Sequence, residues 1–309
     1  MLDMRQLSAL AAVVEEQSFE RAAQRLHVTQ SAVSQRIRQL EERLGQVLVV
    51  RSSPVQATPA GLQVLKHYRQ VSLLEQELQQ ALSQQDDAGF TRVAVGLNAD
   101  SLDTWFPDAI APLLQQQRLL VDLKVDDQDA TQQLLKDGEV IGCITSSPKA
   151  MPGCACVPLG VVAYRCLASP GYLARYFPQG VEAARFRQAP IAEFSNKDQL
   201  QNRYLMQYFG VGPHEYPRHR IPSSKAFCDV IVRGLACGMV PDQQGNPLIE
   251  RGEAVDMTPG RYLAVPLYWH VWNLKSQLIR ALTDALVVEA ERQLDRFEQH
   301  GQLTHPGDD

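Results

Sequence analysis

Residues 19–41 read FERAAQRLHVTQSAVSQRIRQLE, and the fold of the N-terminal part turns on them. Ser18 caps a short helix whose body is Arg21-Ala22-Ala23-Gln24-Arg25-Leu26. His27-Val28 breaks that pattern, Thr29 caps the next helix through Leu44, and Gly45 ends it as the residue past the last turn. A connection of about three residues between two such helices is the spacing of a helix-turn-helix. The paired alanines Ala22 and Ala23 let the helices approach closely where they cross. Val28, Val33, Ile37, Leu40 and Leu44 form the inward stripe of the later helix, which leaves Gln30, Ser31, Ser34, Gln35 and Arg38 outside, near its start. Short polar side chains there reach base edges, Gln pairs bidentately with adenine, and Arg36 and Arg38 suit phosphate. A plain three-helix bundle is the rival, but a merely solvated face carries Glu and Lys rather than Gln, Ser and Arg.

Upstream, Leu7, Leu10, Val13 and Val14 recur at helical spacing and predict a first helix over Met4–Glu16. Downstream, a helix runs from Thr58 to about Gln85. Along it Val64, Tyr68, Val71, Leu74, Leu78 and Leu82 step by three and four into one apolar seam. Such a seam either lies on the chain's own core or pairs with a second copy. Pairing is the favoured reading, because a long helix between domains has little of its own chain to pack on. Paired copies would set two recognition helices on a two-fold operator. Gln84 to Gly89 has the composition of a hinge.

Beyond Gly89 strands and helices alternate. Strands are expected over Arg92–Leu97, Leu119–Val125 and Val140–Thr145, with helices over Leu102–Gln117 and Gln132–Lys136 between them. Later strands fall at Pro190–Phe194, Arg218–Ile221 and Cys237–Val240, and a helix from Leu274 to about Gln299 closes the chain. This alternation predicts an α/β region with a largely parallel sheet covered on both faces.

The 309 residues imply two or three folding units, and 45% hydrophobic with 21% charged residues is a globular composition. The opening MLDMRQLSALAAVVEEQ lacks the basic start and long apolar run of a signal peptide, and no apolar stretch spans a bilayer, so a cytoplasmic protein is expected. Net charge is −5, yet residues 21–51 hold six arginines (Arg21, Arg25, Arg36, Arg38, Arg43, Arg51) against Glu41 and Glu42. A local basic face on an acidic protein suits phosphate binding at one end and solubility at the other. The six cysteines (Cys143, Cys154, Cys156, Cys166, Cys228, Cys237) form no C-x-x-C pair and read as small buried hydrophobes, with a redox switch as the sharper alternative. Cys154-x-Cys156 lacks zinc-ligand spacing, so neither a metal nor a cofactor is expected.

The run Phe19–Glu41 resembles the DNA-binding signature of LysR-type transcriptional regulators. Leu48-Val49-Val50-Arg51 and Thr58-Pro59-Ala60-Gly61 match that family's wing and the start of its linker helix. The resemblance implies an all-α head with a winged helix-turn-helix over residues 1–58, then a linker and dimerisation helix with hinge over 59–89. It also implies a two-lobed α/β effector domain, like periplasmic binding proteins, over 90–309, with lobe I at 90–160 and 266–309 and lobe II at 161–265. Groove contacts in the family pattern fall on Gln30, Ser31, Ser34 and Gln35, with Thr29, Arg36, Arg38 and Arg51 around them. Many members read Arg then Gln where this chain has Gln35-Arg36. The wing segment Ser52–Ala57 carries no Lys or Arg, so Arg51 is the nearest substitute and the third helix is expected to carry more of the readout.

Within the family, residues 19–23, 31–37, 98–102, 138–142 and 267–270 resemble the arginine- and lysine-responsive branch. The resemblance places two chain crossings between lobes, near Ser146–Leu159 and Arg261–Trp269, and an effector in the cleft facing helix N-termini. Asn98, Asp100 and Ser101 are then the candidates from the first lobe, Ser223 and Ser224 from the second, and Ser146 and Ser147 at the crossing. For each serine, simple helix capping is the alternative. Asp100 or the Asp126-Asp127 pair would take a basic amino acid's cation, and the serine-capped helix ends its carboxylate. A solvated strand end is the alternative for the Asp pair. Expected partners are double-stranded DNA, lysine or arginine as effector, a second copy in a homodimer or homotetramer, and RNA polymerase if the protein activates.

Other classes of function fit less of the sequence. An enzyme lacks support, since G-x-S-x-G, H-E-x-x-H, a Walker loop and GxGxxG are all missing. A transport-type binding protein would fit the lobes but not the head. Another effector, a redox signal, or an architectural binder of little sequence preference stay open at this level.

Overall fold

The computed structural model describes residues 2–82, 89–126 and 128–297. The head opens with α1 (Met4–Glu16), α2 (Phe19–Arg25) and α3 (Gln30–Leu44), each started by a side-chain cap: Asp3, Ser18 and Thr29. Gly45 closes α3 at φ +64°, a left-handed conformation that glycine adopts without penalty. Leu7, Leu10, Val13, Ala22, Val33, Ile37 and Leu40 are buried together, so the three helices share one small core. The wing is a two-stranded antiparallel ribbon, β1 (Val49–Val50) with β2 (Gln56–Ala57). Glu41 holds its entry by accepting from the backbone N–H of Leu48 at 2.8 Å. A long helix, α4 (Pro59–Leu82), follows. A Cβ on its Gly61 would lie 2.1 Å from the Leu48 carbonyl oxygen, so only glycine permits this approach of helix to wing.

The α/β region begins with β3 (Thr91–Leu97), α5 (Ala99–Asp103), α6 (Phe106–Gln116), β4 (Leu119–Val125), α7 (Gln128–Lys136) and β5 (Gly142–Thr145). The single helix expected over Leu102–Gln117 is therefore two. Pro107 has no N–H to give the carbonyl of Asp103, so the helix breaks and restarts around the buried Trp105. Next come β6 (Cys154–Ala168), α8 (Pro170–Tyr176), α9 (Ala183–Phe186), β7 (Ile191–Glu193), α10 (Leu200–Phe209), β8 (Arg218–Arg220) and α11 (Ser224–Val232). The chain ends through β9 (Gly238–Pro241), α12 (Asp242–Glu250), β10 (Val255–Asp256), β11 (Tyr262–Trp272) and α13 (Gln277–Gln293).

The expectation of a largely parallel sheet needs correction. Parallel pairing holds for β3 with β4 and β5, and for β7 with β8. The two longest strands, β6 and β11, instead run antiparallel along all of β11, from Cys154–Trp272 to Arg165–Tyr262, and carry the chain between lobes. Pro158 and Pro266 sit inside them and read as breakers in sequence, which is why the 154–168 strand was not expected. Their register slips between Leu267 and Tyr268, opposite Leu159, where the chain passes from one lobe to the other. On the lobe I side β11 pairs with β5; on the lobe II side β6 pairs with β9 and β10.

Helix α4 is tied to both parts of its own chain. Leu65 joins the head core with Val64 and Tyr68 packed against it, whereas Leu73 is buried in the lobe I core. Arg69 donates to the Gly138 carbonyl at 2.9 Å, and Gln80 Nε2 donates to Thr91 Oγ1 at 2.6 Å. Glu77 accepts from Ser276 and from the Leu278 N–H, so its carboxylate caps the start of α13. The apolar seam is thereby divided. Val64 and Tyr68 lie half-buried on the head, Val71 is half-buried, and Leu74, Leu78 and Leu82 stand exposed, with Leu82 at 78%. The hinge composition noted at Gln84–Gly89 falls mainly on residues 83–88, outside the described residues.

Candidate functional site

Two surfaces carry the chemistry, one on the head and one between the lobes. On α3 the buried stripe Val33, Ile37, Leu40 fixes the helix's rotation, so the opposite face must be polar. Gln30, Ser31, Gln35 and Arg38 are exposed there, and Ser34 and Arg36 are half-buried. Thr29 Oγ1 accepts from the Ala32 N–H at 3.2 Å and lies 3.0 Å from Ser31 Oγ, so it secures the helix start that presents these residues. Arg51, beside the wing, stacks its guanidinium 5.2 Å from the Phe19 ring centre, which holds the cation next to α2. Arg25 is different. It is paired with Glu15 at 2.7 Å and Glu16 at 3.3 Å, two acids that precede the basic stretch in sequence, and its pKa is raised by the Glu15 hydrogen bond. The charge available to phosphate is thus less than the count over residues 21–51 implied.

The second surface lines a cavity of about 850 Å³ between the lobes, within the roughly 300–1,000 Å³ of small-molecule sites. Asn98, Asp100, Asp126 and Ser146 reach it from lobe I, Tyr164 from β6, and Lys197, Arg203, Ser224 and Gln244 from lobe II. Asn98 also caps α5, accepting from the Ser101 N–H at 3.3 Å. Asp100 is the junction. Its carboxylate accepts from the Tyr164 hydroxyl at 2.8 Å and from Ser224 Oγ at 3.0 Å, so one lobe I acid is bonded to lobe II. Burial raises the Asp100 pKa, the two hydrogen bonds oppose that, and the charges of Asp198 and Asp103 add to it. Ser224 Oγ also lies 3.0 Å from Gln244 Oε1, and one hydroxyl proton cannot serve two acceptors. With the Gln244 amide turned over, its NH₂ donates to Ser224 and both contacts are satisfied. A second bridge between lobes joins Lys197 to Asp126 at 3.7 Å.

Other residues proposed from sequence lie elsewhere or beyond description. Ser223 caps α11, accepting from the Ala226 N–H at 3.3 Å, and does not line the cavity. Ser101 is buried, lacks a hydrogen-bond partner for its hydroxyl among the described residues, and also lies outside the lining. Asp127 lies outside the described residues. Ser147, at the crossing, joins its carbonyl to His270 Nε2 at 2.9 Å. Tyr164, Lys197, Arg203 and Gln244 were not expected from sequence. Tyr164 belongs to the unforeseen strand, and the other three carry no local motif.

The six cysteines are free and buried or half-buried, and Cys237 alone is lowered, burial raising it but hydrogen bonds from Cys166 and Tyr172 outweighing that. Burial pushes Cys143 up to about 12 and Cys228 to about 11, and raises Cys154 and Cys156. Cys166 is raised by its hydrogen bond with Cys237 and by burial. Among the described residues no group of three His, Cys, Asp or Glu side chains is placed to hold a metal ion, and no helix is long and apolar enough to cross a membrane.

Known proteins agree with this layout. Residues 4–62 match the model of the bacterial regulatory helix-turn-helix protein, lysR family, and residues 87–290 match the LysR substrate binding domain. The HTH-type transcriptional regulator ArgP of Aeromonas salmonicida is 41% identical over 293 residues, 95% of this chain and 98% of its own. ArgP of Pseudomonas aeruginosa is 42% identical over 291 residues, 94% and 96% respectively. The crystal structure of ArgP from Mycobacterium tuberculosis superposes with a TM-score of 0.86 at 38% identity, covering 96% of this chain and 99% of that one. Full-length LysG from Corynebacterium glutamicum with bound effector Arg gives 0.77 at 32% identity, covering 95% and 99%. With the helix-turn-helix, the long helix and the α/β domain all in place, this chain belongs to the LysR family of DNA-binding transcriptional regulators and is not an enzyme.

Proposed function

We propose that this regulator answers to a basic amino acid, arginine or lysine, held between the lobes, and controls genes for the export or metabolism of basic amino acids. The observation that carries the reading is the buried Asp100 carboxylate facing the cleft, with Asp126 on the same wall. A buried carboxylate with a raised pKa is short of positive charge, and an ammonium or guanidinium from the ligand supplies it. The arginine bound by the Corynebacterium glutamicum LysG supports the same chemistry. Calorimetric titration of the full chain tests it. Saturable binding of arginine or lysine, and none of glutamate, is expected; no heat and no thermal shift with either basic amino acid sinks the reading.

The operator is read by two copies. Leu74, Leu78 and Leu82 stay exposed on α4 although Leu65 and Leu73 on the same helix are buried, and a second copy's α4 is the natural cover in a homodimer. Dimers pairing through effector domains would give a homotetramer, and an activator would also touch RNA polymerase. Lobe closure reaches the DNA through α13. The segment just past that helix pairs at Asp295 with Val161, next to the crossing, and the helix start is capped by Glu77 of α4. A shift of lobe II therefore moves α13 against the linker helix and changes the spacing of the two heads on DNA.

A further inference from the structure

Arg203 stands one turn into α10, and helical side chains lean back toward the N-terminus, here toward residues 194–199 that wall the cleft. Its guanidinium is half-buried, burial lowers its pKa, and no acid is paired with it among the described residues. Two other lobe II arginines are held by acids. Arg165 is bonded to Asp242 at 2.8 Å and Asp256 at 3.4 Å, and Arg218 to Glu193 at 3.2 Å. The other cleft cation, Lys197, already faces Asp126. Ser224, the hydroxyl at the start of α11, is spent on Asp100. Arg203 is thus a half-buried fork of N–H donors that borders the cavity and also a shallow hollow beside Asn202 and Pro213, and such a group is satisfied by a planar carboxylate.

We propose that Arg203 selects effectors with a free α-carboxylate, pairing with it while Asp100 takes the side-chain cation. This rests on the reading that a basic amino acid occupies the cleft, and it adds that the amine alone is not enough. Agmatine and argininamide, which keep the guanidinium but lack the carboxylate, bind more weakly.

The test is calorimetry of the full-length wild type, Arg203→Gln and Arg203→Lys with arginine, argininamide and agmatine. The wild type should hold arginine roughly 10- to 100-fold tighter than argininamide, the span of a charge-assisted hydrogen bond. In Arg203→Gln arginine should weaken by that factor and argininamide should not, so the preference collapses; Arg203→Lys, charged but without the fork, should fall between. Equal weakening of both ligands, or a wild type that takes argininamide as well as arginine, overturns the assignment while leaving the cleft reading intact. A wild type that binds none of the three overturns both. Matching thermal melts of the variants exclude misfolding as the cause.

Discussion

Replacing Asp100 by asparagine separates two roles that one carboxylate plays. The amide keeps the shape: its oxygen still accepts from Tyr164, and its NH₂ faces Ser224, whose hydroxyl accepts as readily as it donates. What is lost is the charge. A hydrogen bond to a charged partner contributes about 1.5–3 kcal/mol, so arginine and lysine should bind Asp100→Asn roughly 10- to 150-fold more weakly. Stability without effector should move the other way. In the unfolded chain this carboxyl releases its proton near pH ~3.9, but the folded pKa is higher because burial disfavours the anion. Between those values the unfolded state is charged and the folded state neutral, so raising the pH costs stability, and the cost is complete above the folded pKa. Asp100→Asn removes that cost. Its melting temperature should equal or exceed the wild type's at pH 8, and the advantage should vanish below the ordinary carboxylate pKa. Calorimetric titration and thermal melts at several pH values read both effects. A variant that binds arginine like the wild type, or melts well below it at pH 8, refutes the reasoning.

Further consequences follow from single side chains. Arg38→Ala should reduce the slope of log affinity against log salt by about 0.9 if Arg38 neutralises one phosphate. Anisotropy titrations from 50 to 200 mM salt, which are on the order of the range where that term dominates, check it; an unchanged slope removes Arg38 from the backbone contacts. Leu78→Asp puts a charge on the exposed seam and should shift the sedimenting species toward monomer without lowering the melting temperature; an unaltered sedimentation profile would remove α4 from the dimer. Gly138→Ala strains a residue at φ +73° and sets a Cβ 2.6 Å from that of Lys66. A cost of about 2 kcal/mol at that contact should speed hydrogen exchange in α4, and unchanged exchange would show that the helix does not depend on this docking.

The head was legible in sequence because its determinants are local. Caps at Ser18 and Thr29, the glycine after Leu44 and the 3.6-residue stripe all act within a few residues, and α1 and α3 run from Met4 to Glu16 and Gln30 to Leu44 as read. The crossing strands were obscured because Pro158 and Pro266 sit where an ordinary strand needs N–H donors. The cleft was harder for a different reason. Asp100, Tyr164 and Ser224 meet across 64 and 124 residues of chain, and no local pattern encodes that meeting. One residue along a helix also turns a side chain by about 100°, so Asp100 and Ser224 face the cavity where Ser101 and Ser223 do not. Arg203 carried no motif at all. The role proposed for it rests on the absence of a paired acid among the described residues, which only the folded surroundings reveal. Divided packing of α4 likewise needed the lobe I surface that buries Leu73.

Effector-controlled reading of DNA is tested most directly by footprinting the full-length protein on an operator selected from random DNA, with and without arginine or lysine. The account predicts a protected site with two-fold symmetry whose extent or bend changes as the amino acid is added, and does not change with agmatine. A footprint identical at every concentration of both amino acids would contradict it.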